Sequence, residues 1–208
     1  LGDSSDLNLI NLKTKESKLI KRSVDFKSLT FNEKESTLAF LMSPDTNKVK
    51  VYDLHAFNIE SNTLKSLIDT TKNKLPAGKS VSENGNLQFS KNGKLLYFGV
   101  AKTPKEAPKD SLLESEKPKL DVWHYAENRL QPQQLKQLKN DQKATDLYVY
   151  HFTDDHFVQL ADDTLTVDID LENEQNVLLA SSNEKYARDY QWDLSDKEDV
   201  YLVDVNSG

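Results

Sequence analysis

The side chains in this sequence that could do chemistry gather in two stretches. Trp123, His124, Tyr125, Gln131, Gln133 and Gln134 make up one, and Tyr186, Arg188, Tyr190 and Trp192 the other. Rings set beside amides and a guanidinium suit recognition better than bond-making: ring faces cover apolar groups, and a guanidinium pairs with a carboxylate. Both stretches interrupt a regular run of strands, and loops carried on a rigid scaffold are where binding surfaces concentrate. His124, Gln133, Gln134, Arg188 and Tyr190 are therefore the candidates for facing a substrate or a neighbouring domain. The two tryptophans read as covers over sheet ends.

Other constellations carry less. Gly78-Lys79-Ser80 has the end of a phosphate-binding loop, but Asn73 stands where the loop's first glycine belongs and no apolar strand leads into it. It reads as a loop with a lysine. Gly78-Lys79-Ser80-Val81-Ser82 lacks the last glycine of a Gly-x-Ser-x-Gly nucleophile elbow, so no catalytic residue is assigned. His151 and His156 are the closest histidines, set on either side of a Thr153-Asp154-Asp155 turn and without the carboxylate spacing of a zinc site. Asp162-Asp163 and Asp168/Asp170 fit turns and strand ends better than a calcium loop. No metal and no cofactor is implied.

The elements that must position these residues are strands. In 87–98, Leu87 and Phe89 alternate, Asn92-Gly93 supplies a tight turn, and Leu95-Leu96-Tyr97-Phe98 returns as a continuous β-prone run. The same unit recurs along the chain. An outer hairpin spans 6–20, with Leu7 and Leu9 facing one way. Strands at 28–31, 37–42, 48–54 and 63–68 make a first full sheet. A second spans 86–161 with an insertion at 102–144, where 102–119 reads as an exposed proline-bearing loop and 133–138 as the best helix. A third spans 165–205, carries the insertion 183–197, and lacks its last strand. Repeated four-stranded antiparallel units predict an all-β partial β-propeller of about three blades plus an extra hairpin, with two loop insertions. A sandwich of short strands is the competing architecture.

Bulk properties narrow the partners. The 208 residues carry a net charge of −7, so the acidic balance and lack of a basic cluster argue against nucleic acid. No apolar run approaches the ~18 residues of a spanning helix, and no membrane insertion is expected. There is no cysteine, which excludes disulfides and thiolate metal sites.

Three phrases carry a family resemblance: Asp121-Val122-Trp123-His124-Tyr125 with Leu130-Gln131-Pro132-Gln133-Gln134; Phe157-Val158-Gln159-Leu160-Ala161; and Asp199-Val200-Tyr201-Leu202-Val203-Asp204 with its Asn206-Ser207-Gly208 turn. In these the chain resembles the N-terminal propeller region of large bacterial serine peptidases of the prolyl oligopeptidase family. The resemblance implies an exported, non-catalytic segment that gates or contacts peptide substrate beside a C-terminal α/β-hydrolase domain, itself missing from this chain. None of that family's catalytic residues can be placed here, and the paired glutamates by which some relatives hold a peptide amino terminus are not found. A stand-alone interaction propeller with no enzyme attached is the alternative. Val205-Asn206-Ser207-Gly208 reads as a strand running into a turn, which predicts a piece of a longer protein with unpaired strand edges prone to self-association.

Overall fold

The computed structural model describes residues 4–70, 75–106, 120, 122–171, 176–189, 192–193 and 197–208. Four antiparallel sheets follow one another along the chain. The first is a hairpin of β1 (Ser5–Ile10) and β2 (Ser17–Ser23). The second is a meander of β3 (Asp25–Phe31), β4 (Thr37–Ser43), β5 (Asp53–Asn58) and β6 (Thr63–Ile68). The third runs β7 (Lys79–Val81), β9 (Leu95–Lys102), β10 (Asp146–His151) and β11 (His156–Ala161), with β8 (Gln88–Phe89) also paired to β9. The fourth holds β12 (Thr166–Asp168), β13 (Val177–Ser182) and β14 (Asp199–Asp204). The described α-helix is α1 (Gln131–Asp141), longer at both ends than the sequence predicts, and a short 3-10 turn spans Glu184–Tyr186.

The apolar residues explain why the sheets stack. Successive residues of a strand point to opposite faces. On β4, Leu38 and Phe40 join a core with Leu7, Leu9 and Ile20 of the hairpin, whereas Ala39 and Leu41 face the third sheet. On β9, Leu96, Phe98 and Val100 meet that second core, and Tyr97 turns the other way toward Leu178, Ala180 and Val203 of the fourth sheet. One core thus lies between each consecutive pair of sheets, the blade arrangement of a partial propeller. Each fully buried large apolar side chain contributes roughly 1.5–3 kcal/mol. The ion pair of Lys65 with Asp155, which bridges the second and third sheets at 2.7 Å, joins two half-exposed side chains. Such pairs are worth about 0–1 kcal/mol. Burial, not surface charge, holds the stack.

The turns repeat as well. Asn32 N–H donates to the Thr37 carbonyl, and Ser90 N–H donates to the Leu95 carbonyl, both at 3.0 Å. Glu35 N–H and Gly93 N–H close back on Asn32 and Ser90, with φ of 53° and 72°. The two turns touch, since a Cβ on Gly93 would lie 3.1 Å from Asn32 Nδ2.

Two strand expectations need correction. The third strand of the second sheet starts at Asp53, not 48. Val49 and Val51 alternate with Lys48 and Lys50 and imitate a strand, but Val51 N–H is taken by the Asp45 carboxylate, and Tyr52 bridges to Val81 of the next sheet. Lys79–Val81 is the strand β7 and not a loop. Lys79 reaches across β9 to an ion pair with Asp146, whose carboxylate is largely buried, and this contact raises the lysine's pKa.

Between β7 and β8 the chain bulges away from the edge of β9, and Gly85 packs directly against Gly99 of that strand. A Cβ on Gly85 would sit 2.4 Å from the Gly99 Cα, and one on Gly99 would sit 2.5 Å from the Gly85 Cα. Overpacked sites cost about 1–3 kcal/mol, and here the obstacle is backbone. Gly99→Ala is expected to lower the urea midpoint by at least that equivalent; an unchanged midpoint would mean that the Gly85–Gly99 contact is loose.

Burial also sets a pH dependence. His55 is buried between the hairpin and the second sheet, stacked on Phe40 at 5.8 Å, with no hydrogen-bond partner on either ring nitrogen. Burial pushes its pKa below the ordinary 6.5. His151 is lowered too, chiefly by burial, although its Nε2 lies 3.0 Å from the Val205 carbonyl. The unfolded chain therefore binds protons that the folded chain refuses just below the ordinary value, so stability is full above it and falls as pH drops. Urea melts at neutral and mildly acidic pH should show this loss, and His55→Phe should reduce it. An equal loss in the variant would contradict the assignment to His55.

Candidate functional site

The candidate residues sit outside the cores. The insertion between β9 and β10 carries α1, which has no buried residue, and a preceding segment from Val122 to Leu130. Leu130 enters α1 with extended backbone (φ −64°, ψ 146°) and offers no side-chain cap. Gln133 compensates: its Oε1 accepts the Leu130 N–H at 3.1 Å, satisfying a donor just ahead of the helix. Gln133 is thus committed to starting the helix.

Gln134 points back along the insertion. Its Nε2 donates to the Arg129 carbonyl at 2.9 Å and to the Glu127 carboxylate at 3.2 Å. Arg129 in turn spans the helix, with Nη1 donating to Gln137 Oε1 at 2.7 Å and to Asp141 Oδ2 at 2.9 Å. His124 stacks against Tyr125 with centroids 4.8 Å apart, and its Nδ1 accepts the Ala126 N–H at 3.1 Å. In the neutral ring that leaves the proton on Nε2, as a donor.

These groups surround a cavity of about 240 Å³ whose walls include Trp123, His124, Tyr125, Glu127, Arg129 and Gln134. A wider depression of about 510 Å³ continues it past Asn128 and Leu138. Trp123 and Tyr125 are 63% and 88% exposed. In the second insertion Trp192 is 89% exposed. The tryptophans therefore do not cover sheet ends as the sequence predicts; the described cores between the sheets are filled by aliphatic residues and by Phe and Tyr.

The two insertions meet. Arg188 Nη2 donates to the Tyr125 carbonyl at 2.6 Å, across 63 positions of sequence. Tyr186 anchors the second insertion to β14, its hydroxyl donating to Asp199 Oδ1 at 2.8 Å, and this bond holds the Asp199 carboxyl below its ordinary range. His124, Gln134 and Arg188 are thus brought together through the Tyr125 segment. Gln133 is at the helix start, and Tyr190 lies outside the described residues. Arg129 and Glu127 were not legible as site residues, because Arg129 finds its partners eight and twelve positions away through the helix fold.

The described hydrogen bonds of the histidines go to the Ala126 N–H and the Val205 carbonyl, not to a serine. His151 and His156 stack as a cross-strand pair with centroids 4.4 Å apart. Among the described residues no three His, Cys, Asp or Glu side chains gather as a metal site would require. Among the same residues no helix is long and apolar enough to cross a membrane.

Scanned against protein-family models and against curated proteins, the sequence finds no match. Solved structures with a similar chain path include TolB from Acinetobacter baumannii (TM-score 0.44, 10% identity, 96% of this chain and 35% of that one). A prolyl endopeptidase gives 0.48 at 10% identity, over 98% of this chain and 25% of that one. The acylaminoacyl peptidase of Pyrococcus horikoshii gives 0.40 at 10% identity, over 96% and 28%. The chain spans about a quarter to a third of the length of these structures. At these values the architecture rests on the chain's own sheets and cores.

The link between insertions is testable. Arg188→Ala should speed amide hydrogen exchange across 122–130 while leaving the global melt unchanged, because the bond is exposed and lies outside every core. Unaltered exchange there would mean that Arg188 does not hold the segment.

Proposed function

We propose that this chain is a non-catalytic propeller segment of an exported serine peptidase of the prolyl oligopeptidase family, and that its insertions contact peptide beside an α/β-hydrolase domain. The observation that supports this most is an open cavity in the first insertion, walled by Trp123 and Tyr125, whose Tyr125 carbonyl is held from the second insertion by Arg188. The Trp123 and Tyr125 rings give apolar cover to a peptide side chain, the His124 Nε2 donor faces a backbone carbonyl, and Gln134 braces the wall through Arg129 and Glu127. The acid–base machinery belongs to the hydrolase domain, and this segment supplies orientation and access.

A second reading has its own support. Helix α1 buries none of its residues and leaves Leu135 and Leu138 on its surface, as a stand-alone interaction propeller would leave a face for a protein partner. In the parent reading frame, a Gly-x-Ser-x-Gly several hundred residues beyond Gly208 favours the first reading and its absence the second.

Titrating short unstructured peptides against tryptophan fluorescence tests the binding claim. Saturable binding without hydrolysis is expected, weakened at least ~tenfold in Trp123→Ala, equivalent to about 1.4 kcal/mol. Hydrolysis by the chain itself, or binding indifferent to Trp123 and Tyr125, would overturn the reading.

A further inference from the structure

Among the described residues the buried tyrosines are Tyr52, Tyr97, Tyr148 and Tyr150. Three of them donate the hydroxyl to an acceptor: Tyr52 to Asp25, Tyr148 to Gln159 and Tyr150 to Asp155. Tyr97 is the exception. It is 5% exposed, yet its hydroxyl makes no hydrogen bond to any described residue. A buried phenol ordinarily has a partner, and burial here raises the Tyr97 pKa, so the group remains a donor.

Tyr97 borders a cavity of about 350 Å³ between the third and fourth sheets. The strand register explains the cavity. Gln88 lies opposite Tyr97, and Leu147 opposite Gly99, so all four belong to the face that meets the fourth sheet. Gly99 brings no side chain there, and the cavity opens beside it against Leu165, Val167 and Ile169. Asn86 and Thr145 add polar groups to the wall. Like Gln88, they make no side-chain hydrogen bond to a described residue. Among the described residues of the wall Asp162 alone is charged. Its Oδ1 accepts the Thr164 hydroxyl at 2.6 Å and the Thr164 N–H at 3.0 Å, and these bonds hold the carboxyl below its ordinary range. The carboxylate is thus ionised and already served: it repels an anion and calls for no cation.

We propose that the cavity between the third and fourth sheets binds one uncharged aliphatic peptide unit, a branched side chain with its flanking amides. The side chain lies against Leu147, Leu165, Val167 and Ile169. The Tyr97 hydroxyl donates to a carbonyl of the unit. The amides of Gln88 and Asn86 each carry a donor and an acceptor, which match those of a peptide group. A mainly apolar wall with a few convergent polar groups is the make-up of a small-ligand site, and the volume falls in that range. This cavity is separate from the one beside Trp123, and the inference does not rest on the peptidase reading.

Titrating N-acetyl-leucinamide into the nitrogen-15-labelled chain, followed by amide shifts, tests it. Saturable shifts are expected at 86–99, 145–147 and 165–169. N-acetyl-leucine, the same molecule with a carboxylate in place of the terminal amide, should bind at least ~tenfold more weakly. Tyr97→Phe should raise the dissociation constant at least ~threefold, as loss of one neutral hydrogen bond requires, and Thr145→Val repeats the test from the other side of Gly99. Without ligand, Tyr97→Phe should melt at or above the wild type, because it removes a donor that has no partner. Tyr148→Phe, which gives up the bond to Gln159, should melt lower. Trp123→Ala should leave this binding unchanged, so that the two cavities fail separately. No saturable shift, which would mean a cavity holding water only, overturns the proposal. So does equal binding of the acid, or a Tyr97→Phe chain that melts well below the wild type, since the hydroxyl would then have a structural partner.

Discussion

The structure depends on burying a sheet on both of its faces at once. A strand at the centre of such a sheet cannot alternate apolar with polar residues, because neither side meets water. Thr37–Ser43 and Leu95–Lys102 obey this: Leu38, Ala39, Phe40 and Leu41 are all buried, as are Leu96, Tyr97, Phe98 and Val100. Outer strands need less. Thr63–Ile68 buries only Leu67 and Ile68, and the hairpin Ser5–Ile10 only half-covers Leu7 and Leu9. The gradient from central to peripheral strands follows from sheets stacked through their middles.

The same constraint explains where polar groups are tolerated. His55 takes a place in a core and gives up both hydrogen bonds, which holds it in the neutral form. Lys79 and Asp146 answer one another across β9 at the sheet margin. Tyr52, next to the second core, donates its hydroxyl to Asp25 at 2.7 Å, and burial holds its proton well above the ordinary range. Residues that could not meet these terms are looped out. The 122–143 stretch has its own hydrogen bonds, through Gln133, Gln134 and Arg129, and contributes nothing to the sheet cores.

Much of this was legible in the sequence, for physical reasons. The continuous apolar runs at 37–42 and 95–98 and the Asn92-Gly93 turn announce central strands and their connection, and repetition of that unit gives the fold class. The start of β5 was not legible, since Lys48-Val49-Lys50-Val51 alternates like a strand and only tertiary contacts of Val51 and Tyr52 decide against it. Nor was β7, a three-residue strand that follows the positive φ of Gly78 and whose Lys79 is neutralised by a residue 67 positions away. For the site, residue types pointed to the right two stretches. They could not say that Arg188 would bind a carbonyl of the other stretch, that Gln133 would serve the helix, or that the tryptophans would face outward.

The claim that consecutive sheets share one core each is tested most directly by side-chain nuclear Overhauser contacts in a methyl- and ring-labelled sample. The account predicts contacts of Leu41 and Leu54 with Leu96 and Phe98 across the second and third sheets, and of Tyr97 and Val149 with Leu178 and Val203 across the third and fourth. Contacts within one molecule between the hairpin's Leu7 or Leu9 and Leu178 or Val203, in place of these, would mean a closed sandwich and would contradict it.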